Sequence, residues 1–139
     1  MVIAPDYIGL GKGEKFHLFQ NSESEATASI DMLIAVQELN RKISVSSNQQ
    51  LFLMGYSQGG HACMATQKKL EEEYQDNFTI TASSPMSGAY DMSGVQATVM
   101  TKPYPEPVYL PYLLRGINEV YNITDKDKLF RSPFDSLVP

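Results

Sequence analysis

A chain of 139 residues, 42% hydrophobic and 19% charged, fits one domain and is long enough to bury a sizeable core. Its formal net charge of −5 argues against a nucleic-acid partner, because binding a phosphate backbone depends on clustered Lys and Arg, and the one dense charge run, KKLEEEY over 68–74, reads as a solvated helix face. A single cysteine, Cys63, excludes an internal disulfide; no apolar run approaches the ~18 residues of a membrane span, and MVIAPDY lacks the basic start and apolar stretch of a signal peptide.

In chain order, Met1 to Ala4 followed by Pro5-Asp6-Tyr7 reads as the last half of a buried strand, so the chain looks cut at its front. Gly9, Gly11 and Gly13 make DYIGLGKGEKF a loop; their spacing is not that of a dinucleotide-binding turn, nor do they open into a helix. SESEATASIDMLIAVQELNRKI, residues 22–43, predicts a helix with a capping box, Ser22 as N-cap and Glu25 as its reciprocal partner. Its apolar face carries Ala26, Ile30, Leu33, Ile34 and Ile43, with Gln37 among them. A strand is expected from Leu51 to Tyr56, and a helix from about Gly59 to Tyr74 that buries some combination of Ala62, Met64, Ala65 and Leu70. FTITASSPMSG, rich in β-branched residues, reads as a further strand ending at Pro85 to Gly88. Strands alternating with helices of these lengths imply an α/β fold, a parallel sheet with flanking helices. In the proline-rich tail, PVYLPYLLRGINEVY concentrates Tyr and Leu, with Pro111 in a first helical turn. That density suits either contact with an apolar acyl chain or burial against the rest of the fold.

The chemistry sits in Gly55-Tyr56-Ser57-Gln58-Gly59, a G-x-S-x-G pentapeptide between the expected strand and helix. To turn within so few residues the serine must adopt a strained backbone, and side chains at the flanking positions would strike the strand and the helix; glycines avoid both collisions. Oγ then projects beyond the carboxyl end of the sheet. The first helical amides face the same space, so the N–H of Gln58 can hold an oxyanion, helped by the helix dipole. Gly60, Ala62 and Cys63 are small enough for close helix packing.

APDYIGLGKGEKFHLF, SEATASIDMLIAVQEL, LFLMGYSQGGHACMA and SSPMSGAYDM, in that succession, resemble α/β-hydrolase fold serine esterases of the secretory-lipase-like and bacterial esterase branch, over essentially the whole chain. The resemblance implies a partial α/β-hydrolase fold, with residues 1–91 as the central part of the core and 92–139 as the start of a helical cap or lid. It implies Ser57 as catalytic nucleophile and Gln58 as an oxyanion-hole residue, acting on a small-molecule or lipid ester in a secreted or periplasmic enzyme. The family's other oxyanion loop, its triad acid and its triad histidine find no match, so the chain is expected to be the central slice of a larger enzyme.

Local alternatives to those partners are few. His61 lies one helical turn beyond Ser57, which favours a packing or hydrogen-bonding role under the turn over that of general base. His17, in the loop after the expected first strand, is placed to line the pocket. Asp6 matches a loop-shaping position; Asp91 is the best local acid, although the corresponding family residue is ordinarily not the triad acid; Asp135 has no informative context. Neither metal nor cofactor is expected, since no His-Glu-x-x-His, paired cysteines or calcium loop occurs. The function so read is ester hydrolysis through an acyl-enzyme on Ser57. A peptidase or acyltransferase on the same scaffold and a catalytically incomplete fragment stay open, and oligomeric state is not legible.

Overall fold

The computed structural model describes residues 1–133. Helix α1 spans Ser22–Lys42, strand β1 Leu51–Tyr56, helix α2 Gln58–Glu73 and strand β2 Ile80–Met86. A π-helical turn, Met92–Gln96, leads into the short α3, Ala97–Met100, followed by α4, Tyr109–Tyr121, and α5, Lys126–Leu129. All four long expected elements fall within two residues of their predicted limits, β2 being two residues shorter at each end than the run read for it.

β1 and β2 pair in parallel, from Leu51 opposite Ile80 to Tyr56 opposite Met86, with one irregularity just after Leu51. Parallel neighbours need a crossover, and α2 supplies it while lying against both strands. Along β1 the half-buried Leu51, Leu53 and Gly55 alternate with the exposed Phe52, Met54 and Tyr56, so one face of the sheet is covered and the other is bare. The core lies between α1, α2 and the covered face, where Ala26, Ile30, Ala62, Cys63 and Leu70 are buried. Met64, by contrast, is exposed.

Two sequence expectations change here. Met1 to Ala4 is not a strand among the described residues; Met1 and Val2 are 80% and 94% exposed. An apolar extended segment becomes a strand only beside a ladder partner, and β1 pairs with β2 alone among the described residues. The N-cap of α1 is Asn21, whose side chain accepts from the Ser24 amide at 2.9 Å, so Ser22 lies within the helix. Glu25 does not turn back to complete a capping box; it is drawn inward and fully buried. All four buried residues of α1, from Ser24 to Ile30, lie in its first half, so Ile34, Gln37 and Ile43 stay exposed on the unsupported half.

The charge run is solvated at Lys68 and Glu72, which pair at 3.8 Å, whereas Lys69 reaches across to Glu23 of α1 at 2.9 Å. The hydrogen bonds from Lys69 hold the Glu23 carboxyl below its ordinary pKa. α4 starts with Pro111 in its first turn and ends at Asn122, which is left-handed at φ 48°. It sits on the 16–19 segment through Phe16 against Tyr112 at 5.0 Å, Phe19 stacked on Tyr109 at 5.7 Å, and the Arg115 guanidinium 4.7 Å over Phe16. Among the described residues no helix is long and apolar enough to cross a membrane.

Candidate active site

Ser57 occupies the N-cap position of α2 with φ 56° and ψ −118°. That combination lies outside the left-handed helical region open to L-residues and mirrors extended backbone, so a side chain there is strained. The amide of Ser57 donates to the Met86 carbonyl at 3.0 Å and its own carbonyl accepts from His61 N at 3.1 Å, which pins the turn between β2 and α2. A serine at an N-cap ordinarily spends its hydroxyl on the helix amides. Here it makes no such bond, so Oγ is exposed and uncommitted among the described residues.

The glycines around it differ in their necessity. A Cβ on Gly55 would run into the carbonyl of Gly59, as the steric argument requires. One on Gly59 would meet nothing within 4 Å. The second close approach is at Gly60, whose Cβ would strike the Met86 carbonyl, because the first helical turn rolls Gly60 rather than Gly59 toward the end of β2. The amides of Gln58, Gly59 and Gly60 are at the open N-terminal end of α2, where backbone N–H groups lack intrahelical partners.

Behind the turn lies a chain of buried polar groups. Gln58 Nε2 donates to Glu25 Oε1 at 2.9 Å and to His17 Nε2 at 2.6 Å. Glu25 Oε2 accepts from His61 Nδ1 at 2.6 Å, and His61 Nε2 meets Ser22 Oγ at 3.3 Å. His17 Nδ1 donates to the Ile8 carbonyl at 2.9 Å. Glu25 is 0% exposed, His17 4% and His61 6%. The Gln58 N–H at its Nε2 and the Ile8 carbonyl at its Nδ1 assign His17 the Nδ1–H tautomer, while His61 donates through Nδ1 to Glu25. Burial first, and the nearby Glu25 charge second, push the Tyr7 hydroxyl above its ordinary pKa.

Both histidines are thus occupied at both ring nitrogens, and among the described residues neither is hydrogen-bonded to Ser57 Oγ. His61 has the hydrogen-bonding role under the turn. His17 does not line the cleft; its neighbours Phe19 and Gln20 do. Asp6 lies against the loop at Gly11, in a loop-shaping place. Asp91 caps the π-helical turn, accepting from Gly94 N at 2.9 Å and Val95 N at 3.0 Å. Asp135 lies outside the described residues. The spacing had marked Glu25 as a cap and Gln58 only for its backbone; the structure adds a buried carboxylate and a side-chain amide that bind the two elements together.

Tyr56, Ser57 and Gln58 form one side of a cleft of about 630 Å³, in the usual range for small-molecule sites. Opposite them stand Met92, Val99 and Met100 from the π-turn and α3, and Tyr109, Leu110 and Leu113 from α4. Burial raises the pKa of Tyr112, on the same helix. Among the described residues no group of His, Cys, Asp and Glu is placed to hold a metal ion.

A family model for secretory lipases matches residues 1–104. A candidate hydrolase of Legionella pneumophila superposes with a TM-score of 0.88 at 32% identity, over 97% of this chain and 37% of that one. The rice cell wall degrading esterase LipA of Xanthomonas oryzae does so with a TM-score of 0.86 at 28% identity, over 95% of this chain and 36% of that one. This chain therefore spans little more than a third of either relative's length. No curated protein matches.

Proposed function

This chain belongs to the secretory lipase family and has a partial α/β-hydrolase fold, and from that premise we propose that it carries the nucleophile of a serine hydrolase of carboxylic esters. One observation carries the reading: a strained serine at the head of a helix, its hydroxyl spent on no cap and open to a cleft. In the reaction, Ser57 Oγ bonds to the ester carbonyl carbon while its proton passes to a base. The carbonyl oxygen, now negative, accepts from the Gln58 amide at the positive end of α2. Collapse expels the alcohol, which takes up the proton, and leaves an acyl-enzyme that water hydrolyses. The base is neither His17 nor His61, whose ring nitrogens are already bonded. Residues 1–91 serve as the central core and 92–139 as the start of the cap, of which 134–139 lie outside the described residues; the cleft between the turn and the π-turn, α3 and α4 supports that division. The apolar side chains of that wall suit the acyl part of a small-molecule or lipid ester.

The test is a fluorophosphonate probe on the intact protein, read by peptide mass spectrometry. Ser57 is expected to carry the label, and Ser57→Ala to lose turnover by a factor on the order of 10⁶. Labelling at Ser83, Ser84 or Ser87 with Ser57 unmodified would refute the assignment.

A further inference from the structure

The carboxylate of Glu25 takes no part in that chemistry, yet it is fully buried and bonded to the residue after the nucleophile. We infer that Glu25 is a positioning residue for the oxyanion donor, acting through the Gln58 side chain; this rests on the assignment of Ser57 and Gln58 above. A carboxylate moved out of water costs several kcal/mol unless good hydrogen bonds replace its hydration. Glu25 has them at both oxygens, from Gln58 at 2.9 Å and His61 at 2.6 Å. The side-chain amide of Gln58 is held in turn at two points, by Glu25 from α1 and by His17 from the preceding loop. Two separate parts of the chain therefore converge on a side chain carried by a third.

What this holds is a direction. The plane of the Ser57–Gln58 peptide, and with it the aim of the Gln58 N–H, follows from the strained ψ of −118° at Ser57. Such a conformation persists only where its surroundings over-determine it. Glycines at 55, 59 and 60 leave the turn few side chains of its own to resist relaxation, so the anchored Gln58 side chain supplies the restraint. The polarity is also fixed: Gln58 can satisfy a carboxylate and an unprotonated ring nitrogen with one NH₂ group, and a flipped amide would set oxygen against oxygen at Glu25.

A misplacement of about 1 Å in such a site costs roughly 10²-fold in rate, and losing an oxyanion donor outright costs about 10² to 10³. Glu25→Ala is therefore expected to lower kcat on the order of 10²-fold. Glu25→Gln keeps the shape: its amide oxygen still accepts from Gln58 in a neutral bond of roughly half the strength, and its NH₂ donates to His61 Nδ1 once that ring takes the tautomer protonated at Nε2, toward Ser22. It should lower kcat about ten-fold with KM little changed and the thermal midpoint near that of the parent. Gln58→Ala, which keeps the backbone amide but removes the anchor, should lower kcat comparably. In that background Glu25→Gln should cost less than about two-fold more, because the route through Gln58 is already cut. Full multiplication of the two effects would overturn the inference, since Glu25 would then act by another route. So would parent-level kcat in Glu25→Gln, an isosteric variant that keeps the test decisive if Glu25→Ala does not fold. Labelling of Ser57 separates the levels: a labelled Ser57 with an unaffected Glu25→Gln sinks only the positioning role, whereas an unlabelled Ser57 sinks the site itself.

Discussion

If the backbone at Ser57 is strained, then glycine should be the more stable residue there, against its usual effect. The comparison is Ser57→Gly with Ser57→Ala, both without a nucleophile, so that any difference reports on the backbone. At φ 56° and ψ −118° alanine keeps the clash of Cβ with the backbone, whereas for glycine this mirror of extended backbone is ordinary. Relieving such a conformation returns roughly 1 to 3 kcal/mol. Glycine gives back about 0.4 to 1 kcal/mol through the greater freedom of its unfolded chain. The difference leaves Ser57→Gly more stable by about 1 kcal/mol, a factor of roughly 5 in the folded-to-unfolded ratio. Urea unfolding of the two variants, with matched slopes, measures it as a shift of midpoint. A Ser57→Gly protein less stable than Ser57→Ala by 0.5 kcal/mol or more, on the order of the ordinary glycine penalty, would show that the turn is unstrained. An over-determined elbow would be ruled out with it.

Leu70, 1% exposed, should cost about 2 to 5 kcal/mol when cut to alanine, whereas Met64→Ala on the exposed face of the same helix should cost under about 1 kcal/mol; denaturant titration of both variants checks the contrast. Cys63, 6% exposed, has its thiol pKa raised by burial and only partly offset by a backbone hydrogen bond from the Ser84 region, so Ellman's reagent at pH 8 should find no thiol in the folded protein and one after guanidinium unfolding.

Local physics accounts for what could be read directly from the residues. The helical spacing of 22–43, the short apolar run before Gly55 and the β-branched run before Pro85 each mark an element through interactions confined to a few neighbours, and α1, β1, α2 and β2 follow them. The elbow was legible for the same reason: the need for glycine at Gly55 is a clash with Gly59, four residues away. Its resemblance to a known family of esterases then narrowed the expected chemistry at Ser57 and Gln58 to ester hydrolysis, where the pentapeptide alone leaves several acyl-transfer classes open.

Other features depend on partners that no local window contains. Met1 to Ala4 has the composition of a strand, but a strand exists only where another chain segment offers its ladder. Glu25 stands three residues after Ser22, the spacing of a capping box, yet its partners Gln58 and His61 are 33 and 36 residues away, and two strong buried bonds outweigh one exposed cap. The choice of Gly60 over Gly59 as the tight contact depends on how α2 rolls against β2, a property of packing and not of either glycine. The sequence by itself determined that a serine would stand strained between a strand and a helix, because bonded geometry and nearest neighbours impose it. Only the tertiary structure decided what holds that serine in place, because a buried carboxylate is tolerable solely where distant donors converge to replace its water.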